Sequence, residues 1–188
     1  MRAWLIDKFE GLDRLKLTDV SDPIPAPGEV VLDVRYAALN PADYYLAQNQ
    51  YPARPPLPHV LGRDGIGVVS AVGAGVSGFE LGDVGVILRS EIGVSRWGTL
   101  AGRVAVPVES LVRPPESWTD QESAAAPLVY LTAQQALTQW GELPPGVVLV
   151  TGASGGVGVA SIQLAAAMGH RVVALSRSAE KRAKLLEL

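Results

Sequence analysis

The sequence predicts an α/β protein of two unlike parts, a β-rich part over residues 1–118 and a doubly wound parallel-sheet part over residues 119–188. Three observations predict this fold class. Short apolar runs between glycine and proline turns fill the first part. Strand-forming residues become rare after Pro114-Pro115, where alanine and leucine take over. Residues 147–175 then follow the order strand, glycine-rich turn, helix, strand, which is how a doubly wound sheet begins.

Four apolar runs predict the strands of the first part. They are Glu29–Leu39, Gly65–Val72, Val84–Leu88 and Arg103–Val108. The first run alternates, so we expect a half-buried strand with Val30 and Leu32 on one face and Val31 on the other. Short strands joined by glycine turns favour a small barrel or a pair of packed sheets.

The stretch from Thr119 to Trp140 is rich in alanine and leucine and is interrupted by Pro127. It therefore predicts two short helices that break near this proline. Thr119 is a suitable N-cap for the first helix, and Glu122 three residues later completes a capping box.

The segment Val147–Val150 has four apolar residues with a β-branched majority, which predicts a buried strand. The glycine-rich turn Thr151–Gly158 follows it. Apolar and small residues then recur at helical spacing up to Gly169, which suits the position just after a helix. A second strand is expected at Arg171–Leu175.

The glycine-rich turn has the properties that a dinucleotide requires. Gly155 lets a pyrophosphate approach the backbone, Gly158 lets the helix pack closely, and the helix N-terminus presents free N–H groups to phosphate. We therefore predict that six consecutive residues bind the cofactor: Ala153, Ser154, Gly155, Gly156, Val157 and Gly158. The alternative is a tight strand-to-helix turn that binds nothing.

The end of the second strand indicates which dinucleotide binds. Proteins that bind NAD usually place an acid here to hold the ribose 2′-hydroxyl. This chain has Ser176-Arg177-Ser178 instead, followed by Lys181, and an arginine is suited to pair with a 2′-phosphate. We therefore predict NADPH as the cofactor, with Ser176, Arg177 and Lys181 in contact with it. The alternative is that Arg177 is a solvated surface charge and that Ser178 caps the next helix.

Composition excludes several classes of function. The 16 lysines and arginines and 19 acids give a net charge of −3, so we expect no binding to nucleic acid or to an anionic membrane. No apolar run approaches the ~18–20 residues that span a bilayer, and no targeting segment is apparent, so the expected location is the cytoplasm. The chain has no cysteine and only two histidines, which excludes thiolate metal sites and predicts no bound metal.

Five short motifs follow one another along the chain. They are Asn40-Pro41-Ala42-Asp43, Gly62-Arg63-Asp64 with Gly67, Gly82-Asp83, Leu131-Thr132-Ala133 and Thr151–Gly158. In this order they resemble the medium-chain dehydrogenase/reductase superfamily, and within it the zinc-free quinone oxidoreductase branch. The resemblance implies a GroES-like catalytic domain over residues 1–118 and a Rossmann domain over residues 119–188, of which only the first half is present. We therefore expect a longer natural chain and a homodimer formed through the rest of the Rossmann domain.

Two departures from the zinc-dependent relatives imply the type of chemistry. Those enzymes carry a cysteine where this chain has Asn40, and a histidine where it has Arg63, and neither replacement rebuilds the zinc site. The resemblance therefore implies zinc-independent hydride transfer from NADPH to a small molecule, either a quinone or an α,β-unsaturated carbonyl (an enone). The alternatives are a catalytically quiet NADPH-binding protein of the same fold and an enoyl-CoA reductase.

The resemblance also implies roles for single residues. Asn40 and Tyr51 match residues near the substrate, and Thr132 matches a threonine that contacts the nicotinamide. Each has a structural alternative: Asn40 as a helix N-cap, Tyr51 as a loop residue, and Thr132 as a hydroxyl bonded to a carbonyl of its own helix. We also hypothesise that Arg63 and Asp64 form a buried pair in place of the metal ligands.

Overall fold

The computed structural model describes residues 1–88, 91–141 and 144–188, which divide into two compact units, Met1–Pro127 and Leu128–Leu188. The strands are β1 (Arg2–Ile6), β2 (Leu15–Asp19), β3 (Glu29–Ala38), β4 (His59–Val60), β5 (Asp64–Val72), β6 (Val84–Ile87), β7 (Arg103–Pro107), β8 (Leu111–Val112), β9 (Val147–Val150) and β10 (Arg171–Ala174). The α-helices are α1 (Pro41–Ala47), α2 (Asp120–Ala125), α3 (Pro127–Thr138), α4 (Gly156–Ala167) and α5 (Ala179–Leu185).

The first unit contains two antiparallel sheets. Five strands are ordered β7-β3-β5-β6-β8, and three are ordered β2-β1-β4. The long strand β3 pairs with β5 on one side and β7 on the other. Buried side chains on these strands form the core, which includes Val30, Leu32, Val69 and Val106. The four strands expected from the apolar runs are present as β3, β5, β6 and β7, so the β-rich first part is confirmed.

The expectation of a half-buried β3 is wrong at Val31. Val30 and Leu32 are buried in one core cluster, as predicted, but Val31 on the other face is also only 2% exposed. The pairing of β3 with β5 shifts register between Val31 and Leu32 and again between Val34 and Tyr36, whereas its pairing with β7 keeps one register from Glu29 to Asp33. Successive side chains therefore still point to opposite faces at Val31, and both faces of β3 are covered there.

The two predicted short helices are α2 and α3, and Pro127 is the first residue of α3. The hydroxyl of Thr119 accepts the N–H of Glu122 at 3.2 Å, and the Glu122 carboxylate accepts the N–H of Thr119 at 2.8 Å. The predicted capping box is therefore confirmed. Helix α2 packs against β3, β5 and β6 and lies in the first compact unit, although it begins after residue 118. The domain bounds 1–118 and 119–188 stay predictions.

The second unit is built on the parallel pair of β9 and β10 with α4 between them in the chain. Val148 and Val150 pack with Ile162 of α4. The expectation of a buried strand is wrong for one face of β9, because Val147 and Leu149 are 66% and 59% exposed. Successive side chains of a strand point to opposite faces, and α4 covers the face of Val148 and Val150.

The longest α-helices, α3 and α4, have 12 residues each. Within residues 1–88, 91–141 and 144–188, no helix combines the length and the apolar character needed to cross a membrane.

Gly67 lies in β5 where the backbone of β3 comes closest. A Cβ at this position would lie 2.5 Å from the carbonyl oxygen of Asp33, a backbone atom held in the sheet. We predict that Gly67→Ala lowers the free energy of unfolding by about 1–3 kcal/mol, as measured by urea denaturation. The control is Gly102→Ala, whose Cβ would meet no atom closer than 3.7 Å and should change stability by less than about 0.5 kcal/mol. Equal losses in the two variants would contradict this explanation.

Candidate functional site

The beginning of α1 anchors one side of the candidate active site. Asn40 has an extended backbone and is the N-cap of α1, and Pro41 is the first helical residue. The backbone N–H of Asn40 donates to Oδ2 of Asp43 at 2.9 Å. The structural alternative for Asn40, helix capping, is therefore present in the structure, and it leaves the side-chain amide available for other contacts.

Asp43 joins α1 to a distant part of the chain. Its Oδ1 accepts the N–H of Gly62 at 3.0 Å, and the residue is only 5% exposed. Burial raises the pKa of the Asp43 carboxyl above its ordinary value of 3.8, although the N–H groups of Asn40 and Gly62 and the charge of Arg63 act in the opposite direction. Since both of its oxygens accept backbone N–H groups, Asp43 holds two chain segments together.

The side-chain amide of Asn40 is held by a second buried acid. Its Nδ2 donates to Oδ2 of Asp64 at 3.0 Å, and the two residues are 8% and 2% exposed. The backbone carbonyl of Asp64 in turn accepts the hydroxyl of Thr99 at 2.9 Å. These contacts fix the plane of the Asn40 amide, so the predicted catalytic side chain has one orientation in the fold.

Tyr51 has a defined partner as well. Nη1 of Arg63 donates to the hydroxyl of Tyr51 at 3.0 Å, and the Tyr51 ring packs against the small core that contains Ile6, Leu46, Ala47 and Leu61. We hypothesised that Arg63 and Asp64 pair with each other. In these contacts Arg63 bonds to Tyr51, and Asp64 bonds to Asn40.

Two consecutive residues of the segment 62–64, Arg63 and Asp64, therefore contact the two predicted catalytic residues, Tyr51 and Asn40. Gly62 occupies this segment because its φ is +103°, and because a Cβ there would lie 2.4 Å from the hydroxyl oxygen of Thr99. No residue with a side chain fits both conditions without strain. The contact with Thr99 was not predicted from the sequence, since no motif links these two residues.

The site offers few groups that could bind a metal. No cluster of three or more histidine, aspartate or glutamate side chains suited to an ion occurs in the part of the chain that the structure describes. His59 lies in β4 at 1% exposure, and burial lowers the pKa of its imidazole. Its Nε2 has no hydrogen-bond partner among the described residues, which fits a neutral imidazole inside the core.

In the second unit, the glycine-rich turn follows β9 and leads into α4. A Cβ on Gly158 would lie 2.5 Å from the carbonyl oxygen of Gly152 and 2.7 Å from Cα of Ala153, so the close packing predicted for this glycine is present within the turn itself. Gly155 is different, because its Cβ would meet nothing closer than 3.5 Å. Packing within the turn therefore requires a glycine at 158, whereas a Cβ at 155 would make only an ordinary contact.

A pocket of about 350 Å³ lies beside this turn. Its lining residues are Gly152, Ser154, Leu175, Ser176, Arg177, Ser178 and Lys181. Three of the residues predicted from the end of the second strand therefore lie together with Ser154 of the turn, and the hydroxyls of Ser154 and Ser176 are 3.4 Å apart. The lining contains two cations and, among the described residues, no acid.

Ser178, which lines this pocket, and the nearby Arg182 have structural roles. Ser178 caps α5 by accepting the N–H of Lys181 at 3.3 Å, as the structural alternative for Ser178 proposed. Arg182 donates to the backbone carbonyls of Ser176 and Arg177 at 2.8 and 3.2 Å. This role of Arg182 was not predicted from the sequence, and the only available signal was its position four residues after the N-cap Ser178.

Thr132 lies on the α3 helix, and its side chain is partly exposed. Its hydroxyl donates to the carbonyl of Leu128 at 2.7 Å, which is the structural alternative proposed for it. The hydroxyl oxygen can still accept a second hydrogen bond, so a contact with a cofactor stays a prediction.

The chain is similar to known proteins, and the match to a family model lies in the first unit. The sequence pattern of the alcohol dehydrogenase GroES-like domain matches residues 26–116. Over the whole chain, 38% of residues are identical to the human synaptic vesicle membrane protein VAT-1 homolog and 35% to rat quinone oxidoreductase. Acryloyl-coenzyme A reductase from Metallosphaera sedula is 37% identical over 88% of the chain.

Solved structures superpose on the full chain. An NAD-dependent alcohol dehydrogenase matches with a TM-score of 0.92 at 37% identity, and 61% of its chain is covered. The quinone oxidoreductase from Thermus thermophilus, solved also in complex with NADPH, matches with a TM-score of 0.84 at 35% identity, with 57% covered. The chain spans 47% of the VAT-1 homolog and 56% of each of the two reductases, about half the length of these relatives.

Asp43→Asn tests the buried carboxylate. An amide has one oxygen and cannot accept both N–H groups, so we expect the free energy of unfolding to fall by about 1–3 kcal/mol. The loss should depend on pH, because the folded protein holds the Asp43 proton more tightly than the unfolded chain. Wild-type stability then decreases, relative to the variant, as pH rises from 3.8 through the higher folded-state pKa, and is level above it.

The measurement is urea denaturation of both proteins from about pH 4 to about pH 7. Other titrating groups are common to the two proteins, so they cancel in the difference. A stability difference that stays constant or grows with pH would contradict the raised pKa.

Proposed function

The chain belongs to the medium-chain dehydrogenase/reductase superfamily, and from this premise we propose that it binds NADPH and passes hydride to a quinone or to an enone, without zinc. The observation that carries the proposal is the pocket beside the glycine-rich turn, where Ser176, Arg177 and Lys181 meet Ser154. The reaction class is that of the zinc-free quinone oxidoreductase branch, and the acceptor is a small molecule.

The residues of the turn fit the phosphates of a dinucleotide. The first N–H groups of α4 have no acceptor within the helix, and the lack of a side chain at Gly155 lets a pyrophosphate reach them. The residues proposed to hold the cofactor are Ala153, Ser154, Gly155, Gly156, Val157 and Gly158 at the turn, Ser176, Arg177 and Lys181 in the pocket, and Thr132 on α3. One similar structure is of an NAD-dependent enzyme and another is of an NADPH complex, so the choice of NADPH rests on the charge of this pocket.

The chemistry of the first unit supports the proposal of hydride transfer without zinc. Arginine only donates hydrogen bonds, so Arg63 cannot be a metal ligand. The amide of Asn40 and the carboxylate of Asp64 are bonded to each other at 3.0 Å. These residues therefore act as hydrogen-bonding groups, and the electrophilic assistance that a metal would provide must come from donors on the protein.

The mechanism divides the work between cofactor and protein. A bound NADPH supplies the hydride from C4 of its nicotinamide. The protein orients the carbonyl of the acceptor and supplies a proton, for which Asn40 and Tyr51 are the proposed catalytic residues. The Asn40 amide has a fixed orientation, and the phenol of Tyr51 can both donate and accept a hydrogen bond.

Two other functions have specific support. A catalytically quiet NADPH-binding protein is favoured by the 38% identity to the VAT-1 homolog, which is named as a membrane protein of synaptic vesicles and not as an enzyme. An enoyl-CoA reductase is favoured by the 37% identity to acryloyl-coenzyme A reductase. A cytoplasmic location and a homodimer formed through the rest of the Rossmann domain are further proposals that follow from the resemblance.

Arg177→Gln tests the choice of cofactor. We expect the dissociation constant for NADPH to rise about 10-fold, because a charged hydrogen bond to the 2′-phosphate is worth about 1.5 kcal/mol or more, while that for NADH stays within about twofold. The measurement is fluorescence titration of the protein expressed from its complete reading frame. The matched control is Arg171→Gln, an exposed arginine at the other end of β10, which should change neither constant. Equal wild-type affinity for NADH and NADPH would refute the proposed role of Arg177.

Turnover with a panel of acceptors separates the three functions. We expect NADPH oxidation in the presence of 1,4-benzoquinone or methyl vinyl ketone, followed by the loss of absorbance of the reduced nicotinamide. Turnover confined to an enoyl-CoA such as acryloyl-CoA would favour the enoyl-CoA reductase. Tight NADPH binding with no turnover on any of these acceptors would favour the quiet binding protein and overturn the proposed enzyme.

A further inference from the structure

Arg63 has an unusual environment for an arginine. It is half-buried, and its Nε is buried without a hydrogen-bond partner among the residues that the structure describes. Among the residues that the structure describes, Arg63 makes one hydrogen bond, from Nη1 to the hydroxyl oxygen of Tyr51. None of the ion pairs within residues 1–88, 91–141 and 144–188 includes Arg63.

A partly buried charge without a neutralising partner is costly. Asp43 is the acid whose titration Arg63 influences, but both oxygens of Asp43 are already bonded to backbone N–H groups. The guanidinium of Arg63 instead donates to the oxygen of Tyr51. An anion formed at or near this oxygen would lie against the positive charge of Arg63.

The direction of the hydrogen bond determines what Tyr51 can do. A guanidinium only donates, so the phenolic oxygen must accept, and the phenolic proton is left for another partner. The packing of the Tyr51 ring on the core around Leu46 and Leu61 holds the hydroxyl in place. Tyr51 thus has its oxygen against a cation and its proton available, the arrangement of a proton donor whose anion is stabilised.

We propose that Arg63 is a positioning residue that makes Tyr51 the proton donor of the reaction. The inference rests on the proposed function, since it needs an acceptor that becomes negatively charged. Arg63 holds the phenolic oxygen, directs the phenolic proton towards the acceptor, and stabilises the phenolate that remains after proton transfer.

With an enone, atoms and electrons balance in two transfers. The β-carbon of the acceptor takes hydride from the reduced nicotinamide, which is oxidised, and the π electron pair of the carbon–carbon double bond moves to give an enolate. The O–H bond of Tyr51 breaks, and its proton forms an O–H bond on the enolate oxygen. The enol then rearranges to the saturated ketone, and the phenolate paired with Arg63 takes a proton from water. With a quinone, the proton goes to the oxyanion that hydride addition creates.

The first test measures the contact itself and does not need activity. Tyrosine labelled with 13C at Cζ gives one NMR signal per tyrosine, and Tyr51→Phe identifies the signal of Tyr51. Arg63→Gln should shift this signal. The control is Arg54→Gln, since Arg54 is an exposed arginine three residues from Tyr51, and it should leave the signal unchanged. No shift in Arg63→Gln would overturn the proposal.

The second test measures turnover of NADPH with methyl vinyl ketone by the protein expressed from its complete reading frame. We expect Tyr51→Phe to lower kcat about 100-fold and Arg63→Gln to lower it about 10-fold, with KM for NADPH within about twofold in both. Because Arg63 acts through Tyr51, the double variant should be no slower than Tyr51→Phe alone. Arg63→Lys, which keeps the charge, should retain more activity than Arg63→Gln.

The outcomes separate this proposal from the proposed function. Unchanged kcat in Tyr51→Phe, or losses that multiply in the double variant, would overturn the role of Arg63 while leaving the reductase activity established. If the wild-type protein turns over no acceptor, the proposed function and the proton transfer both fail. Arg54→Gln should keep wild-type kcat, and its failure to do so would show that the effect of Arg63→Gln reflects a general loss of positive charge.

Discussion

The buried carboxylate of Asp43 is the contact on which the rest of the candidate active site depends. One oxygen holds the N-terminus of α1 and the other holds Gly62, so two segments far apart in the sequence are kept in register. The pairing of Ala38 with Asp64 in β3 and β5 already brings these segments side by side, and the Asp43 bridge adds a second link between Asn40 and Gly62. A carboxylate that is desolvated is a costly anchor, and the two backbone N–H groups offset that cost. The same acid therefore restricts the orientation of groups it does not touch.

Two glycines of the glycine-rich turn, Gly155 and Gly158, differ in whether packing explains their lack of a side chain. The sequence alone does not show this difference. Gly158 is required by folding, because backbone atoms of the same turn occupy the space of a side chain. A Cβ on Gly155 would make only an ordinary contact, 3.5 Å from the carbonyl oxygen of Gly152, so packing does not require a glycine there. Within one short motif, therefore, packing inside the protein explains one glycine and does not explain the other.

Much of the fold is predictable from local signals, and the misses have physical causes. Proline, glycine and capping residues mark the ends of the strands and helices, and these signals act over a few residues. Strand β1 was not predicted. Its outward residue Trp4 is large and apolar while the buried Ala3 is small, so the sequence does not show an alternation of apolar and polar residues. The candidate residues were predicted from the resemblance. The contact between Tyr51 and Arg63 was not predicted, because a long side chain can reach many different partners. The burial of Val31 depends on cover over the second face of β3, which no local pattern indicates.

The central position of β3 has a consequence for how the chain folds as it is synthesised. Val30 pairs with Val72 on one side and with Val106 on the other. The first partner leaves the ribosome well before the second, so one edge of β3 stays open while the intervening residues are made. Such distant antiparallel pairings fold slowly, and an open strand edge invites pairing with other chains. The segments that carry Asn40 and Asp64 are complete by then, so the geometry of the site can form before the sheet that supports it is closed.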